Sequence, residues 1–357
     1  QSGRSNRHGG VAIAFAQQGQ GCRAAVTAYS NRCHRLSLSA FHNIWWMASL
    51  TLLRVDIIGT EPCPGHLGLL DAALRYHPFA GSVTVMTHGF RYAPDDPAHD
   101  PNDHILGPMG GNGRSLSWPR HLGFRDANHA PGLAVALGWN ARGTIWAAHR
   151  ASGATALALA AILTRIRTRR PDLRITAIGH SLGARVILQA LPLIAEDTLS
   201  RAVLLSAAAF RAETLAALAS TGARGVEVIN VTSRENDLFD GLIEAILPGG
   251  WSGSIGHGLG QHHRGWVDLQ LDHPEVMRGL ARLGFPVGDP ARRICHWSAY
   301  RRPGVFALYR ALLTDPVLMP LDHLARALPQ RQHPRWSRLL SPLPSALPLP
   351  FRRGTST

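Results

Sequence analysis

The residues of this chain best suited to chemistry lie in one short segment, Gly179-His180-Ser181-Leu182-Gly183, which has the pattern G-x-S-x-G. The apolar run at 173–178 before it is typical of a β-strand, and the apolar-faced segment after it is typical of a helix. A serine on so tight a turn needs small neighbours, and the turn lifts its hydroxyl out of the sheet at a helix N-terminus. The helix dipole and a free backbone N–H there favour a negative oxygen. The sequence therefore predicts that Ser181 is a nucleophile.

On these residues the chain resembles the α/β-hydrolase superfamily, specifically bacterial serine hydrolases with a G-H-S-L-G nucleophile elbow. The resemblance covers roughly residues 50–313. It implies an α/β-hydrolase fold and an esterase-like or lipase-like activity through an acyl-enzyme on Ser181. In this family an oxyanion donor follows an earlier strand, commonly at a His-Gly pair, and here the strand VTVMT runs into His88-Gly89-Phe90. The resemblance implies that the backbone N–H groups of Phe90 and Leu182 form the oxyanion hole.

A serine nucleophile needs a base and a carboxylate that orients the base, and in this superfamily the order along the chain is Ser, acid, His. The strand VEVINVT ends in Ser233-Arg234-Glu235-Asn236-Asp237, which places Asp237 where the resemblance puts the acid. Glu235 and Asp240 are the alternatives. Asp240 is also explained as a solvated acid in the first turn of the following helix.

The candidates for the base are the five histidines between this acid and residue 300: His257, His262, His263, His273 and His296. In the family the base lies on a loop after the last strand and before a final helix. His296 has this setting, because the helical stretch Val305–Leu313 follows it. The three histidines at 257–263 lie in a Gly-rich segment with no strand before them, so we expect them at a pocket rim or on the surface.

No metal or cofactor is expected from the sequence. The run HDPNDH at 99–104 brings acids and imidazoles together, but no spacing typical of a zinc or calcium site is present. A loop this rich in Asp, Asn and Pro is more typical of an active-site flap, so no metal-binding residue is predicted.

The rest of the chain must position these residues, and from Thr51 it alternates short apolar runs with amphipathic stretches. This alternation indicates βαβ units and the α/β class, with a mostly parallel central sheet and helices on both faces. Strands are predicted at 51–58, 83–88, 133–138, 173–178, 202–207 and 226–232, and a long helix is predicted between Gly143 and Arg170.

Three segments are expected along the chain: a disordered leader at 1–46, an α/β-hydrolase domain at 47–330 with loop inserts at 91–125 and 241–270, and a Pro-rich extended tail at 331–357. The leader shows neither strand alternation nor helical periodicity, and Met47 directly precedes the first strand. An alternative interpretation is therefore that the leader is not native and that translation starts at Met47.

Composition excludes several classes of function. The 37 basic residues give a net charge of +14, yet all of them are Arg, which indicates codon bias rather than a nucleic-acid surface. No apolar stretch approaches the roughly 20 residues that cross a bilayer, so stable membrane insertion is not expected and a cytoplasmic location is favoured over export. The expected partner is a small-molecule ester, with thioesters or lactones as alternative substrates. A non-catalytic binding domain of the same fold is the alternative function.

Overall fold

The structure is a computed structural model that describes residues 51–76, 81–109, 116–126, 129–290, 292–315, 318–329 and 331–340. The predicted leader, the alternative start at Met47 and most of the predicted tail lie outside these residues.

The described residues contain an eight-stranded sheet in the order β2-β1-β4-β3-β5-β6-β7-β8. The strands are β1 (Leu52–Ile58), β2 (Glu61–Pro62), β3 (Ser82–Thr87), β4 (Gly132–Gly138), β5 (Arg174–His180), β6 (Arg201–Leu205), β7 (Glu227–Thr232) and β8 (Trp266–Gln270). Neighbouring strands are parallel except for the short β1–β2 pair. Their carboxyl ends therefore meet at one edge of the sheet, where open α/β sheets bind ligands.

The six strands predicted from the sequence are all present, with ends that differ by at most two residues. Two strands were not predicted: the two-residue β2, and β8, because Trp266–Gln270 lies inside the Gly-rich segment that the sequence analysis assigned to a loop insert. A five-residue strand at the end of the sheet offers too few alternating positions for a periodic signal.

Helices cover both faces of the sheet. They are α1 (Pro64–Tyr76), α2 (Trp118–His121), α3 (Ile145–Arg169), α4 (Leu182–Ala190), α5 (Arg211–Leu218), α6 (Asp237–Ile246), α7 (Pro274–Arg282), α8 (Ser298–Arg301), α9 (Val305–Thr314), α10 (Leu321–Ala327) and α11 (Ser337–Leu340). One hydrophobic core lies under α1, α3 and α4, and a second lies under α2, α7, α9 and α10. Side chains of one strand alternate between them, as Val83 and Val85 join the first core and Met86 the second. The expected α/β class, with a mostly parallel central sheet and helices on both faces, is confirmed.

The start of the predicted tail packs against the domain rather than extending away from it. The ring of Trp336 lies over α6, where a Cβ added at Gly241 would be 3.0 Å from it, and Arg335 forms an ion pair with Glu244 at 2.5 Å. Residues 331–340 thus cover one side of the helix that follows β7. None of the described helices has the length and apolar character needed to span a bilayer.

Candidate active site

Ser181 lies on the turn between β5 and α4 with φ 56° and ψ −122°. A residue with a side chain rarely adopts a positive φ, and such strain is concentrated at functional sites. A Cβ added at Gly179 would be 2.7 Å from the backbone of Gly183, and one added at Gly183 would be 2.4 Å from the carbonyl oxygen of His88. The two glycines of the motif are therefore required by close backbone contacts, and the strand–turn–helix setting of a nucleophile elbow is present.

The loop after β3 lies directly against this serine. A Cβ added at Gly89 would be 2.8 Å from both the Cβ of Ser181 and the carbonyl oxygen of His180. The backbone N–H of Leu182 is in the first turn of α4, where helix amides have no partner within the helix. Within the described part of the chain, neither this N–H nor that of Phe90 donates a hydrogen bond to a protein acceptor. Both predicted oxyanion donors are thus on backbone that adjoins Ser181.

His88 holds this loop in place and is not available as a base. Its Nδ1 donates to the carbonyl oxygen of Gly89 at 2.9 Å, and its Nε2 accepts from the backbone N–H of Trp139 at 3.1 Å. Burial lowers the pKa of His88 to about 4. The ring is therefore neutral, which is the only state in which one nitrogen donates while the other accepts.

His296 lines the same cavity as Ser181, on the loop before α8. Its ring stacks on Phe239 with 4.8 Å between centroids and lies 4.5 Å from the ring of His180. Burial, with a smaller contribution from His180, holds the pKa of His296 well below its usual value of 6.5. A neutral imidazole at this position can accept a proton at physiological pH.

The group that contacts Nδ1 of His296 is Asn236, whose Oδ1 lies 2.7 Å away. An amide oxygen only accepts hydrogen bonds, so Nδ1 carries the proton and Nε2 presents a lone pair. Asp237, the acid that the sequence favoured, points elsewhere: its Oδ2 accepts the backbone N–H of Trp336 at 2.6 Å, and its Oδ1 is 3.4 Å from Nη1 of Arg234.

Helix geometry explains this difference. A helical backbone turns by about 100° per residue, so Asp237 cannot face the same way as Asn236, whereas a residue four positions on returns to within about 40°. Asp240 is that residue. It is 1% exposed, its Oδ1 accepts from the hydroxyl of Ser254 at 2.9 Å, and it lines the cavity with Asn236.

Asp237, Asp240 and His257 each present one potential ligand atom, and these atoms lie within 4.8 Å of one another. The guanidinium of Arg234 already lies among them, with Nη1 at 2.5 Å from Nδ1 of His257. Burial and the charge of Arg234 lower the pKa of His257 to about 3, so this histidine is neutral. We interpret the cluster as a buried ion-pair network around an arginine cation.

The remaining candidates have structural contacts. Glu235 pairs with Arg302, and its backbone oxygen accepts the N–H of Cys295 at 2.9 Å, which ties the loop that carries His296 to the end of β7. His273 caps α7 by accepting the N–H of Glu275 at 3.2 Å. His262 and His263 line a different cavity, near β8 and α10. In the segment HDPNDH, Asp100 accepts the N–H of Asn102 at 2.9 Å and pairs with Arg54 at 2.8 Å.

The cavity that contains Ser181 and His296 has a volume of about 390 Å³. Its wall is mainly apolar and includes Phe90, Ile145, Phe239, Leu242, Ile243, Ile246 and Trp297. Four of these residues come from α6, whose other side is covered by Trp336. Leu242 and Trp297 are 55% and 45% exposed, so the entrance is apolar as well.

Sequence reasoning missed Asn236, and it gave Asp240 only a minor place among the candidates. The search was for a carboxylate next to the base, and an Asn does not meet that criterion. The available signal was the spacing of Asn236 and Asp240, four residues apart across the start of a helix, which places an amide and a carboxylate on one face.

No protein-family model matches this chain, and no curated protein matches it. Among solved structures, two acetylxylan esterases are similar at 10% and 11% identity, with TM-scores of 0.23 and 0.27. These alignments cover 36% and 54% of this chain and 64% and 84% of the esterases. A Trichoderma reesei cutinase in complex with a phosphonate inhibitor is similar at 18% identity, over 36% of this chain and 52% of the cutinase, with a TM-score of 0.20.

Proposed function

We propose that this protein is a serine hydrolase that cleaves carboxylic esters through an acyl-enzyme on Ser181. One observation carries the proposal: Ser181, on a strained turn, and His296, with its Nδ1 held by an acceptor, line one mainly apolar cavity. A strained serine at a helix N-terminus and an oriented neutral imidazole are the components that acyl transfer requires.

In the proposed reaction, Oγ of Ser181 attacks the ester carbonyl carbon while Nε2 of His296 takes the hydroxyl proton. The backbone N–H groups of Phe90 and Leu182 hold the negative oxygen of the tetrahedral intermediate. His296 then gives the proton to the leaving alcohol, and the acyl group remains on Ser181. A water molecule, deprotonated by the same imidazole, attacks the acyl carbon; the bond to Oγ of Ser181 then breaks, His296 returns the proton to Oγ, and the acid is released.

We propose Asn236, rather than Asp237, as the residue that orients His296. The 2.7 Å contact to Nδ1 supports this assignment, whereas the contacts of Asp237 are to Trp336 and Arg234. An amide oxygen fixes the ring and its tautomer as a carboxylate does, but it supplies no full negative charge. The low pKa of His296 agrees with this arrangement.

The cavity supports an apolar acyl group of moderate length as the substrate. A volume of about 390 Å³ corresponds to about 13 atoms of water size, at roughly 30 Å³ each. This space holds the ester group and an acyl chain of about six to eight carbons. Thioesters and lactones with a similar acyl part undergo the same chemistry and belong in the test set.

The test is labelling with a fluorophosphonate, which reacts rapidly only with an activated serine. We expect wild-type protein to be labelled at Ser181 and the Ser181→Ala variant to remain unlabelled. Absence of labelling in folded wild-type protein would favour the non-catalytic binding domain.

Substrate length is tested with a series of chromogenic esters. We expect kcat/KM to be highest for hexanoate and octanoate esters and to fall for acetate and palmitate. Ile243→Trp, which fills the cavity, should move this maximum to shorter chains. A flat profile from acetate to palmitate would contradict an acyl-binding role for the cavity.

A further inference from the structure

The contact between His296 and Asn236 raises a problem that a carboxylate would not. An Asn side chain has an acceptor on one side and a donor on the other, and the two are nearly equal in size. If the amide were rotated by 180°, its NH₂ group would face Nδ1 of His296. The imidazole would then carry its proton on Nε2 and could not accept the proton of Ser181. Something must therefore hold the amide in the productive orientation.

The carboxylate of Asp240 is placed to do so. Asp240 lies one helical turn after Asn236 on the same side of α6, and both side chains line the catalytic cavity. The amide of Asn236 lies close enough to this carboxylate to lower its pKa as a hydrogen-bond donor does, and Oδ2 of Asp240 is buried without a hydrogen-bond partner among the described residues. An ionised carboxylate only accepts hydrogen bonds, so it favours the orientation in which the NH₂ group of the amide faces it and the amide oxygen faces His296.

The surroundings of Asp240 hold it rigidly. The hydroxyl of Ser254 donates to its Oδ1 at 2.9 Å, and Ser254 itself is fully buried. A Cβ added at Gly256 would be only 2.2 Å from Oδ2 of Asp240, so the carboxylate fills a space that exists because residue 256 has no side chain. A group fixed this way can impose an orientation on its neighbour.

We propose that Asp240 is a positioning residue that fixes the amide orientation of Asn236 and, through it, the catalytic tautomer of His296. This inference rests on the proposed function, since it assigns a role within the same site. Asp240 touches neither the substrate nor His296 in this scheme, and it does not receive the proton of Ser181. The proton moves from Oγ to Nε2 and back to the leaving group, while the Nδ1 proton stays with His296.

The other charged groups near Asp240 belong to the buried ion-pair network around Arg234. Arg234 acts on Asp240 as a cation and Asp237 as a like charge, while His257 is neutral. Burial raises the pKa of Asp240 to about 7, so its ionised form predominates at pH 8.5. Measurements of the positioning role are therefore made at that pH.

The experiment compares fluorophosphonate labelling rates and ester kinetics at pH 8.5 in wild-type protein and Asp240→Asn. An Asn at 240 presents its own NH₂ group and no longer selects one orientation of the Asn236 amide. We expect the labelling rate and kcat to fall by about 10–100-fold, the loss typical for a residue that orients a reacting group from behind. We expect KM to change less than twofold, because the cavity wall is unchanged.

Two further variants separate positioning from general damage. Asp268→Asn removes a half-buried carboxylate, which accepts from Asn230 of β7 at 2.8 Å and lies outside the catalytic cavity. This control should label at the wild-type rate. The double variant Asn236→Asp/Asp240→Asn moves the carboxylate next to His296 and places an amide donor behind it. We expect it to recover at least a tenth of the wild-type rate.

The outcomes are distinct. If wild-type protein is not labelled, the proposed function fails. If wild-type protein is labelled and folded Asp240→Asn is labelled equally fast, the positioning role is overturned while the proposed function stands. A loss that the double variant does not recover also overturns it. Should Asp240→Asn not fold, the ¹⁵N shifts of His296 in wild-type protein at pH 8.5 still decide: the Nδ1–H tautomer supports the inference, and the Nε2–H tautomer refutes it.

Discussion

Replacing Asp240 by Asn should remove one limb of the pH–rate profile. Burial raises the pKa of this carboxyl to about 7, against the opposing effects of Ser254 and Arg234. In the proposed role the ionised form holds the Asn236 amide, so activity should rise as the pH passes upward through about 7. His296 does not produce this limb, because burial and the neighbouring His180 hold its pKa well below 6.5.

The size of the effect follows from the ionised fraction. With a pKa of about 7, Asp240 is about 97% ionised at pH 8.5 and about 3% ionised at pH 5.5. Wild-type protein should therefore exceed Asp240→Asn by about 10–100-fold at pH 8.5. At pH 5.5 the protonated carboxyl resembles the amide that replaces it, and the two proteins should differ by only a few-fold.

The assay is kcat/KM for a chromogenic hexanoate ester between pH 5 and 9 at constant ionic strength, with folding checked at each pH by circular dichroism. We expect a limb near pH 7 in wild-type protein and a flat profile above pH 6.5 in the variant. A limb near pH 7 that persists in Asp240→Asn, with a constant ratio of rates, would falsify the reasoning and assign the limb to another group.

Stability provides an independent control for this variant. The folded-state pKa of Asp240 lies above the unfolded-state value of about 3.9. The protonated carboxyl therefore contributes stability that is fully present below about pH 3.9 and is lost as the pH rises through about 7. Ionised Asp240 therefore weakens the fold at pH 8.5, and the neutral Asn avoids this cost. We expect the melting temperature of Asp240→Asn at pH 8.5 to equal or exceed that of wild-type protein, so lost activity would not reflect unfolding.

Three further results are expected. Ser181→Ala should lower kcat for ester hydrolysis by about 10⁴-fold or more with an unchanged melting temperature, and full activity in this variant would contradict the proposed function. Asp237→Asn should keep kcat within about threefold, because Asp237 contacts Trp336 and Arg234 rather than His296. Its melting temperature should fall by at least about 2–4 °C, the shift for roughly 1 kcal/mol in a domain this large; a 10⁴-fold loss of kcat would instead support the sequence-based assignment. EDTA should leave activity unchanged, since Arg234 supplies the cation of the acidic cluster, and inhibition reversed by a divalent ion would contradict this.

The parts of the site that local sequence encodes could be predicted. Gly179 and Gly183 flank Ser181 because the backbone at both positions lies too close to neighbouring backbone for a Cβ, and this requirement is visible as a motif. Six of the eight described strands were also predicted, because each of the six is a short apolar run between polar segments. Chain order left five histidines, and the family resemblance then favoured His296, which lies in the same cavity as the serine.

The neighbour of His296 could not be predicted, because it depends on the rotation of a helix. The chain leaves β7, makes a 3-10 turn at Arg234–Asn236 and enters α6 at Asp237. A shift of one residue in this start would turn every side chain by about 100° and bring a different residue to His296. Helix ends are uncertain by one or two residues even in known structures, and sequence patterns place them less well.

In the proposed site an uncharged amide contacts His296 and the carboxylate of Asp240 lies one helical turn away, and this arrangement has a consequence for catalysis. A carboxylate in direct contact with an imidazole raises its pKa by about 1–3 units, which stabilises the imidazolium but also protonates the base at mildly acidic pH. Burial and His180 lower the pKa of His296, and Asn236, which contacts its Nδ1, adds no full negative charge to oppose this. In the proposed mechanism, Asp240 supplies negative charge one helical turn away, where it favours the transient imidazolium. Because burial raises the pKa of Asp240 to about 7, the proposed mechanism assigns the pH response to the residue that positions Asn236 rather than to His296.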